Sequence, residues 1–279
     1  MKTIIAATDY SAIAENAVEF AAEIARISNA TLILLNDFTI SIHAMNARLP
    51  GPAIEELLHD NELHLAGIAS SLHKKYDIEV SPRATFSFVQ DELKTLIADY
   101  NADLVVMGMA PKTFEQDLIG NTTTSVIKNL QTAVLAVPAG VKFKGRKKVL
   151  FACDALNGVN ELLLARIKSF ASLMGAEVEV LLINETIEEL KSKGADPLTF
   201  EHMSKSLNGI DYYYRHVRSN SIIHSIEQEI INSQAELLIM VPEKHGFWDS
   251  LVHRSKTREM AAGLRIPLLS IPPDLSAAG

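Results

Sequence analysis

The sequence predicts an α/β protein in which helices cover a parallel sheet on both faces, repeated as two tandem domains. Short apolar runs rich in β-branched residues alternate with amphipathic helical patterns, as in βαβ units. The strand-like runs are apolar almost throughout, which is typical of strands buried on both faces. The same succession of segments occurs twice in 279 residues. We therefore expect one domain at 1–141 and a second at 146–279.

The first half begins with an apolar strand at residues 3–7 and an amphipathic helix, for which Asp9 or Ser11 is available as N-cap. A second strand at 31–35 ends at Asn36-Asp37. Residues 41–53, which contain two prolines and a glycine, predict an irregular loop. The remaining segments are a long helix with an apolar stripe, a strand within 79–88 and a helix at about 90–100.

The stretch 102–138 organises this half of the chain. It predicts a strand that runs into a loop at Gly108, a helix that opens at Gly120, and a second strand that ends at Pro138. The turn at a helix N-terminus in such a unit is where α/β proteins bind anions. We expect a ligand here if the protein binds one.

After Pro138 a basic segment, AGVKFKGRKK, predicts a linker, and the pattern then begins again. Asp154 follows its strand as Asp9 follows the first, at an offset of 154 − 9 = 145. The counterparts of the later strands lie at 176–185, 235–241 and 268–272. Slow drift in the offset is what insertions in surface loops produce.

Composition excludes several functions. A formal net charge of −8 and a pI near 5.6 argue against a nucleic-acid surface. There is no apolar run of eighteen residues, and Asp9 interrupts the N-terminal apolar stretch, so we expect no membrane span, no signal peptide and a cytoplasmic protein. The single cysteine, Cys153, has apolar neighbours and predicts a buried thiol. His59 and His64 are five residues apart, a spacing that disfavours a zinc pair, so we expect no metal site.

Polar residues at the predicted strand ends compose a candidate nucleotide site. Acidic side chains accept hydrogen bonds from a ribose or a base, and a helix N-terminus favours phosphate. We then expect adenosine to lie near the two acids, and the phosphates to lie near the two glycines and the start of the helix. The predicted site residues are Asp9, Asp37, Gly108, Gly120, Asn121 and Thr122. Each also has a structural interpretation, as a tight-turn glycine or as a helix cap.

Three segments, TDYSAIAENAVEFAAEIA, ADLVVMG and GNTTTSVIKNLQTAVLAVP, resemble the universal stress protein family, and the resemblance covers nearly the whole chain as a tandem pair. It implies doubly wound, five-stranded domains of the Rossmann-like, adenine nucleotide alpha hydrolase-like class, paired about a pseudo-twofold axis through their final strands. Some members of the family bind ATP through the pattern Gly, two residues, Gly, nine residues, then Gly followed by Ser or Thr. Others lack the pattern and bind no nucleotide.

The first half matches this pattern imperfectly. Gly108 corresponds to the first glycine, Pro111 stands at the second, and Gly120 follows after eight residues where the family has nine. Asn121 replaces Ser or Thr, with Thr122 one step later. Proline cannot donate an N–H to a phosphate, so one expected contact is missing. The resemblance also implies that Asp9 contacts adenosine and that adenine meets the backbone near Asp37.

The second half keeps the spacing but has Val241, Lys244 and Arg254 at the glycine positions, followed by Ser255. A β-branched side chain at the first position would crowd a ribose, so we expect no family-type ATP site there. A basic loop contains Lys244, His245, His253, Arg254, Lys256 and Arg258. This loop is either solvated or a binding site for an anion smaller than ATP. Nearby Trp248 is either a packing anchor or part of a contact with a protein partner.

The sequence therefore favours a stress-response or regulatory protein that binds ATP or another adenine nucleotide, with any Mg²⁺ held through the phosphates. It offers no nucleophile paired with a base and no catalytic lysine signature, so an enzyme is not favoured. A slow ATPase and a pure interaction module remain the alternatives. A protein partner and a further homodimer, beyond the pseudo-dimer within the chain, are left open.

Overall fold

A computed structural model gives the structure of the protein at residues 1–37, 51–85, 88–109, 121–144, 148–152, 161–183, 205–219, 221–242 and 265–272. Within these ranges the side chains of residues 51–54 and 121 are not described. Ten strands of the described chain form one sheet: β1 (Thr3–Thr8), β2 (Thr31–Asp37), β3 (Val80–Thr85), β4 (Leu104–Met109), β5 (Ala133–Pro138), β6 (Lys148–Ala152), β7 (Glu177–Ile183), β8 (Tyr212–Val217), β9 (Leu237–Met240) and β10 (Leu268–Ser270).

Helices alternate with these strands. They are α1 (Ala12–Ser28), α2 (Gly51–Tyr76), α3 (Val89–Tyr100), α4 (Asn121–Asn129), α5 (Glu161–Met174) and α6 (Ile222–Ser233). Each of α1, α3 and α6 ends at a residue in the left-handed conformation, Asn29, Asn101 and Gln234 respectively, whose backbone N–H bonds a carbonyl of the last turn. Among the helices that the structure describes, none has both the length and the apolarity needed to cross a bilayer.

The two halves wind in the same way. The sheet order is β3-β2-β1-β4-β5-β10-β9-β6-β7-β8, and every neighbouring pair is parallel except β5 with β10. Each half is thus a doubly wound five-stranded sheet, as the sequence predicted. The order reverses between β1 and β4 in the first half and between β6 and β9 in the second, and such a switch point is where ligands bind in this class of fold.

The halves join edge to edge through β5 and β10. Leu269 pairs with Leu135, and the flanking pairs are Leu268 with Ala136 and Ser270 with Val134. Because Leu269 is the repeat equivalent of Leu135, a pseudo-twofold axis passes through this pair. The predicted meeting of the two final strands is confirmed, and it removes an apolar edge from each half. The domain limits themselves, 1–141 and 146–279, stay a prediction.

Apolar side chains form a layer on each face of the sheet. One layer packs under α1, α2 and α5, and the other under α3, α4 and α6. Successive residues of a strand alternate between the layers, as Ile4 and Ile5 do. Burial on both faces explains why strands such as β1, β2, β4 and β5 are almost wholly apolar, with their polar side chains at the strand ends.

The second half contains a buried pair of acids between β7 and α6. Glu179 is 3% exposed and Glu229 is 4% exposed. The Tyr213 hydroxyl donates to Glu179 Oε2 at 2.6 Å, and Arg215 Nε lies 3.5 Å from Glu229 Oε2. Burial raises the pKa of the Glu179 carboxyl above its ordinary value, the Tyr213 hydrogen bond opposes this, and the neighbouring Glu229 raises the pKa further.

The structure corrects two boundaries. Asn36 and Asp37 are the last two residues of β2 rather than the residues after it, because Asn36 stays in register with Thr8 of β1. Residues 51–53, predicted as loop, already belong to α2, since proline is tolerated in the first turn of a helix. Cys153, Pro111 and the basic loop with its tryptophan lie outside the described residues.

Candidate functional site

Three neighbouring strands end at one place in the first half. Asp9 directly follows β1, Asp37 closes β2, and Gly108 is the penultimate residue of β4. The strands lie in the order β2-β1-β4, and Thr8 pairs with Asn36, so the two acids follow a register pair. Adjacent strands are roughly 4.8 Å apart. The structure thus brings these three predicted residues together beside the switch point between β1 and β4.

Asp9 is exposed and shapes the entry to α1. Its Oδ1 accepts the backbone N–H of Ser11 at 3.0 Å, while Ser11 Oγ accepts the N–H of Ala14 at 3.3 Å. Ser11, and not Asp9, is therefore the N-cap of α1. This leaves an exposed acidic side chain in the turn above the strand ends, which is the position that contact with a ligand requires.

Asp37 has a structural partner at the start of α3. Its carboxylate accepts a hydrogen bond from the backbone N–H of Val89, where the cap residue Phe88 gives no side-chain cap bond. Burial raises the pKa of the Asp37 carboxyl, the Val89 bond lowers it, and the nearby Glu92 raises it. Asp37 Oδ1 is buried and has no hydrogen-bond partner in the structure as described. That oxygen retains the capacity to accept a donor.

Gly108 lies against the first turn of α1. A Cβ placed on Gly108 would come within 2.9 Å of Ile13 Cγ2 and within 3.1 Å of the carbonyl carbon and oxygen of Ile13. The residue therefore has to be glycine so that α1 can approach β4 closely. This is a packing role, and the space beside its Cα is filled by α1. Whether a sugar also approaches this residue remains the prediction made from the sequence.

The start of α4 is fixed to the end of β4. Thr123 is buried, and its Oγ1 donates to the carbonyl oxygen of Gly108 at 3.1 Å. This bond places the N–H groups of the first turn, which have no acceptor within the helix, and the positive end of the helix dipole beside the strand ends. Thr122 is exposed at that turn. Asn121 begins the helix, but its side chain and the whole of Gly120 lie outside the description.

A chain of buried amides, which the sequence analysis missed, connects the site to α2. Asn36 Nδ2 donates to the Thr8 carbonyl at 2.7 Å, Asn61 Nδ2 donates to Asn36 Oδ1 at 3.0 Å, and the Tyr10 hydroxyl donates to Asn61 Oδ1 at 2.6 Å. One signal was present in the sequence: Asn61 occupies the helical spacing of the apolar stripe, four residues before Leu65. The pairing of Asn61 with Tyr10 and Asn36 had no local signal.

Where the structure describes the strand ends of the second half, it does not repeat these side chains. Strand register makes Leu182 the counterpart of Asn36 and Ile183 the counterpart of Asp37, and both are buried apolar residues. Val241 stands where Gly108 stands, and it packs against the core. At two of the three strand ends the second half therefore has apolar groups where the first half has acid, amide or glycine. Lys244 and Arg254 lie outside the described residues.

Neither a metal cluster nor a second cleft competes with this site among the described residues. In the described part of the chain, no group of three or more His, Cys, Asp and Glu could hold a metal ion. A crevice of about 1380 Å³, bordered by Lys148, Glu177 and Glu236, lies at the amino ends of the second-half strands. Ligands of doubly wound sheets bind at the opposite, carboxyl edge, so this crevice is not the candidate site.

Comparison with known proteins agrees with this architecture. The model of the universal stress protein family matches residues 1–138, which span β1 to β5 and contain the whole candidate site. The chain belongs to the universal stress protein family. A search of curated protein sequences found no match.

Solved universal stress proteins share the fold along the whole chain. One from Archaeoglobus fulgidus DSM 4304 is 14% identical, covers 98% of each chain and has a TM-score of 0.72. A putative universal stress protein from Pseudomonas aeruginosa UCBPP-PA14 is 13% identical, with 98% of this chain and 94% of that chain covered and a TM-score of 0.62. At these identities the likeness shows the fold, and it extends the universal stress protein architecture to the second half.

Proposed function

We propose that this universal stress protein binds one adenine nucleotide per chain, in its first half, and serves as a nucleotide-responsive regulatory protein. The observation that carries the proposal is the asymmetry of the two switch points. An exposed acid, a buried carboxylate oxygen to which no described residue donates, and a helix N-terminus lie together beside the first switch point. The counterparts of Asp37 and Gly108 in the second half are apolar.

The described residues fit the adenosine part of such a ligand. Asp9 is exposed for a ribose hydroxyl, and Asp37 Oδ1 can accept one further hydrogen bond at the neighbouring strand end. The first turn of α4 supplies N–H groups for phosphate, with Asn121 and Thr122 at its start. Gly120 belongs to the proposed phosphate site by sequence only. Mg²⁺, where a nucleotide brings it, is held through the phosphates.

Titration calorimetry on the full chain with ATP tests the proposal. We expect about one nucleotide per chain. Asp9→Asn keeps an oxygen that can accept the Ser11 N–H but removes the charge, so the turn stays and ATP binding weakens about tenfold, or roughly 1.4 kcal/mol. The matched control is Asp154→Asn, which makes the same change at the repeat equivalent of Asp9. It should leave the affinity unchanged.

Several results would contradict this assignment. A stoichiometry near two, or a loss of affinity with Asp154→Asn and not with Asp9→Asn, would show that the second half carries the site. No binding by the wild-type chain, together with no nucleotide in mass spectra of gently purified protein, would favour an interaction module. Phosphate release with Mg²⁺ that is well above an Asp9→Asn control would instead favour a slow ATPase.

A further inference from the structure

The buried amides close a ring around the loop that carries Asp9. Hydrogen bonds lead from the Tyr10 hydroxyl through Asn61 and Asn36 to the Thr8 carbonyl. The Tyr10 backbone N–H donates to Thr8 Oγ1 at 3.0 Å, which closes the ring. Asn36 is 2% exposed and Asn61 is 7% exposed. Both amides use a donor and an acceptor within the ring. We call Thr8, Tyr10, Asn36 and Asn61 the amide ring.

The ring stabilises an unfavourable backbone conformation at the site. Tyr10 has φ of 63°, in the left-handed region that a bulky residue seldom adopts. Residues in such conformations cost of order 1–3 kcal/mol and persist where surrounding contacts hold them, often at ligand sites. Here the contacts are the bond to Asn61 and an edge-to-face contact with His64, whose ring centroid lies 4.7 Å away. Asn61 and His64 are three residues apart and share one face of α2.

The ring sets the positions of both candidate acids. Asp9 lies between ring members Thr8 and Tyr10, and Asp37 directly follows ring member Asn36. Each acid is therefore the chain neighbour of a ring member. The second half has Leu182 at the counterpart of Asn36, so it cannot form this ring, and it also has an apolar residue in place of Asp37. Among the described residues, Asn36 and Asp37 thus occur together in the first half, and both are replaced by apolar residues in the second.

We propose that Tyr10, Asn36 and Asn61 are positioning residues that hold Asp9 and Asp37 for the adenosine moiety and couple nucleotide binding to helix α2. The proposal rests on the nucleotide function proposed above. Coupling between two parts of a protein is reciprocal in free energy. A nucleotide that binds the acids should therefore slow amide exchange in α2 around Asn61.

The test combines amide hydrogen exchange by NMR with ATP titration on the full chain. Tyr10→Phe removes only the hydroxyl that bonds Asn61. We expect exchange at the Tyr10 and Ser11 amides to rise about fivefold, and the affinities for ATP and for adenosine to fall by the same factor of about five. Equal losses are expected because the ring supports the acids, which both ligands contact through their shared nucleoside.

The matched control is Tyr76→Phe. Tyr76 also lies on α2 and donates its hydroxyl to α1, at Glu19, but it sits fifteen residues beyond Asn61, which is roughly 22 Å along a helix. It should change neither the exchange of the Tyr10 and Ser11 amides nor the affinities. Asn61→Leu and the double variant with Tyr10→Phe complete a cycle. Their losses of affinity should be clearly less than additive, since both remove the same link.

The outcomes separate the two proposals. Unchanged exchange at Tyr10 and Ser11 in Tyr10→Phe overturns the positioning role, whether or not nucleotide binds. Raised exchange in a chain that binds no nucleotide supports the ring and contradicts the proposed function. Additive losses in the cycle would mean that Tyr10 contacts the ligand directly, which overturns the coupling to α2. If Asn61→Leu does not fold, the comparison of Tyr10→Phe with Tyr76→Phe decides.

Discussion

The close contact between Gly108 and Ile13 gives the sharpest test of how the site is built. In Gly108→Ala the new Cβ would lie 2.9 Å from Ile13 Cγ2 and 3.1 Å from two backbone atoms of Ile13. The side chain of isoleucine is stiff at χ1, and the backbone belongs to the first turn of α1, so neither group yields easily. We expect α1 to shift away from β4 by a few tenths of an ångström.

Overpacking of this kind typically costs 1–3 kcal/mol. We therefore expect Gly108→Ala to lower the free energy of unfolding by about 2 kcal/mol, measured by urea denaturation with unchanged m-value. Ile13→Ala removes Cγ2. In the double variant of Gly108→Ala with Ile13→Ala, about half of the loss of unfolding free energy caused by Gly108→Ala should be recovered, because the two backbone contacts persist. Gly67→Ala serves as a control, since its Cβ meets nothing within 4 Å. It should be neutral or slightly stabilising, because alanine favours helices.

The same measurements decide what a loss of binding at Gly108 means. The sequence predicts that Gly108→Val abolishes nucleotide binding. The loss of binding free energy should exceed about 1.4 kcal/mol, which is a tenfold change in affinity. The structure adds that α1, which begins three residues after Asp9 at Ala12, would move as well. If Gly108→Ala leaves the unfolding free energy within about 0.5 kcal/mol of wild type, the argument that close packing requires this glycine is wrong.

Two further predictions concern stability. Ser11→Ala removes the side-chain cap of α1 and should cost about 1 kcal/mol in urea denaturation, whereas an unchanged midpoint would mean that Asp9 takes over the cap. The second concerns Glu179, whose pKa in the folded protein is raised above its ordinary value of 4.5. The contribution of this group to stability is therefore fully present below pH 4.5. It is lost as the pH rises through the folded pKa. Glu179→Gln should therefore lose less stability than wild type between pH 4.5 and pH 8, and parallel pH profiles would contradict the raised pKa of Glu179.

Much of the fold was predictable because its determinants are local. Strands buried on both faces must be apolar, and helices beside them must be amphipathic, so β1, α1 and β4 were readable from periodicity. The pairing of the two halves was predictable from the repeat, since equivalent edge strands such as β5 and β10 both need covering. The end of β2 was misplaced because its polar residues, Asn36 and Asp37, looked like the start of a loop. Their place in the strand depends on register with β1.

The candidate site was predictable in its acids and its glycine but not in their supports. Asp9, Asp37 and Gly108 were placed correctly at strand ends, because the carboxyl ends of parallel strands meet at one edge. What periodicity could not show is the bond from Asn61 to Asn36, which joins residues 25 positions apart, or the contact of Gly108 with Ile13. Such interactions depend on the angle at which a helix crosses the sheet. No local pattern encodes that angle.

The asymmetry between the halves follows from where each residue lies relative to the pseudo-twofold axis. Leu135 and Leu269 pair with one another at the seam, so a change in either one alters a contact of both halves. Asn36 lies on β2 and Leu182 on β7, each the fourth strand counted from the seam, and neither pairs with its counterpart in the other half. Side chains at the strand ends can therefore differ between the copies while the shared sheet is retained. The second half has apolar Leu182, Ile183 and Val241 at its described strand ends and still completes the sheet that supports the first.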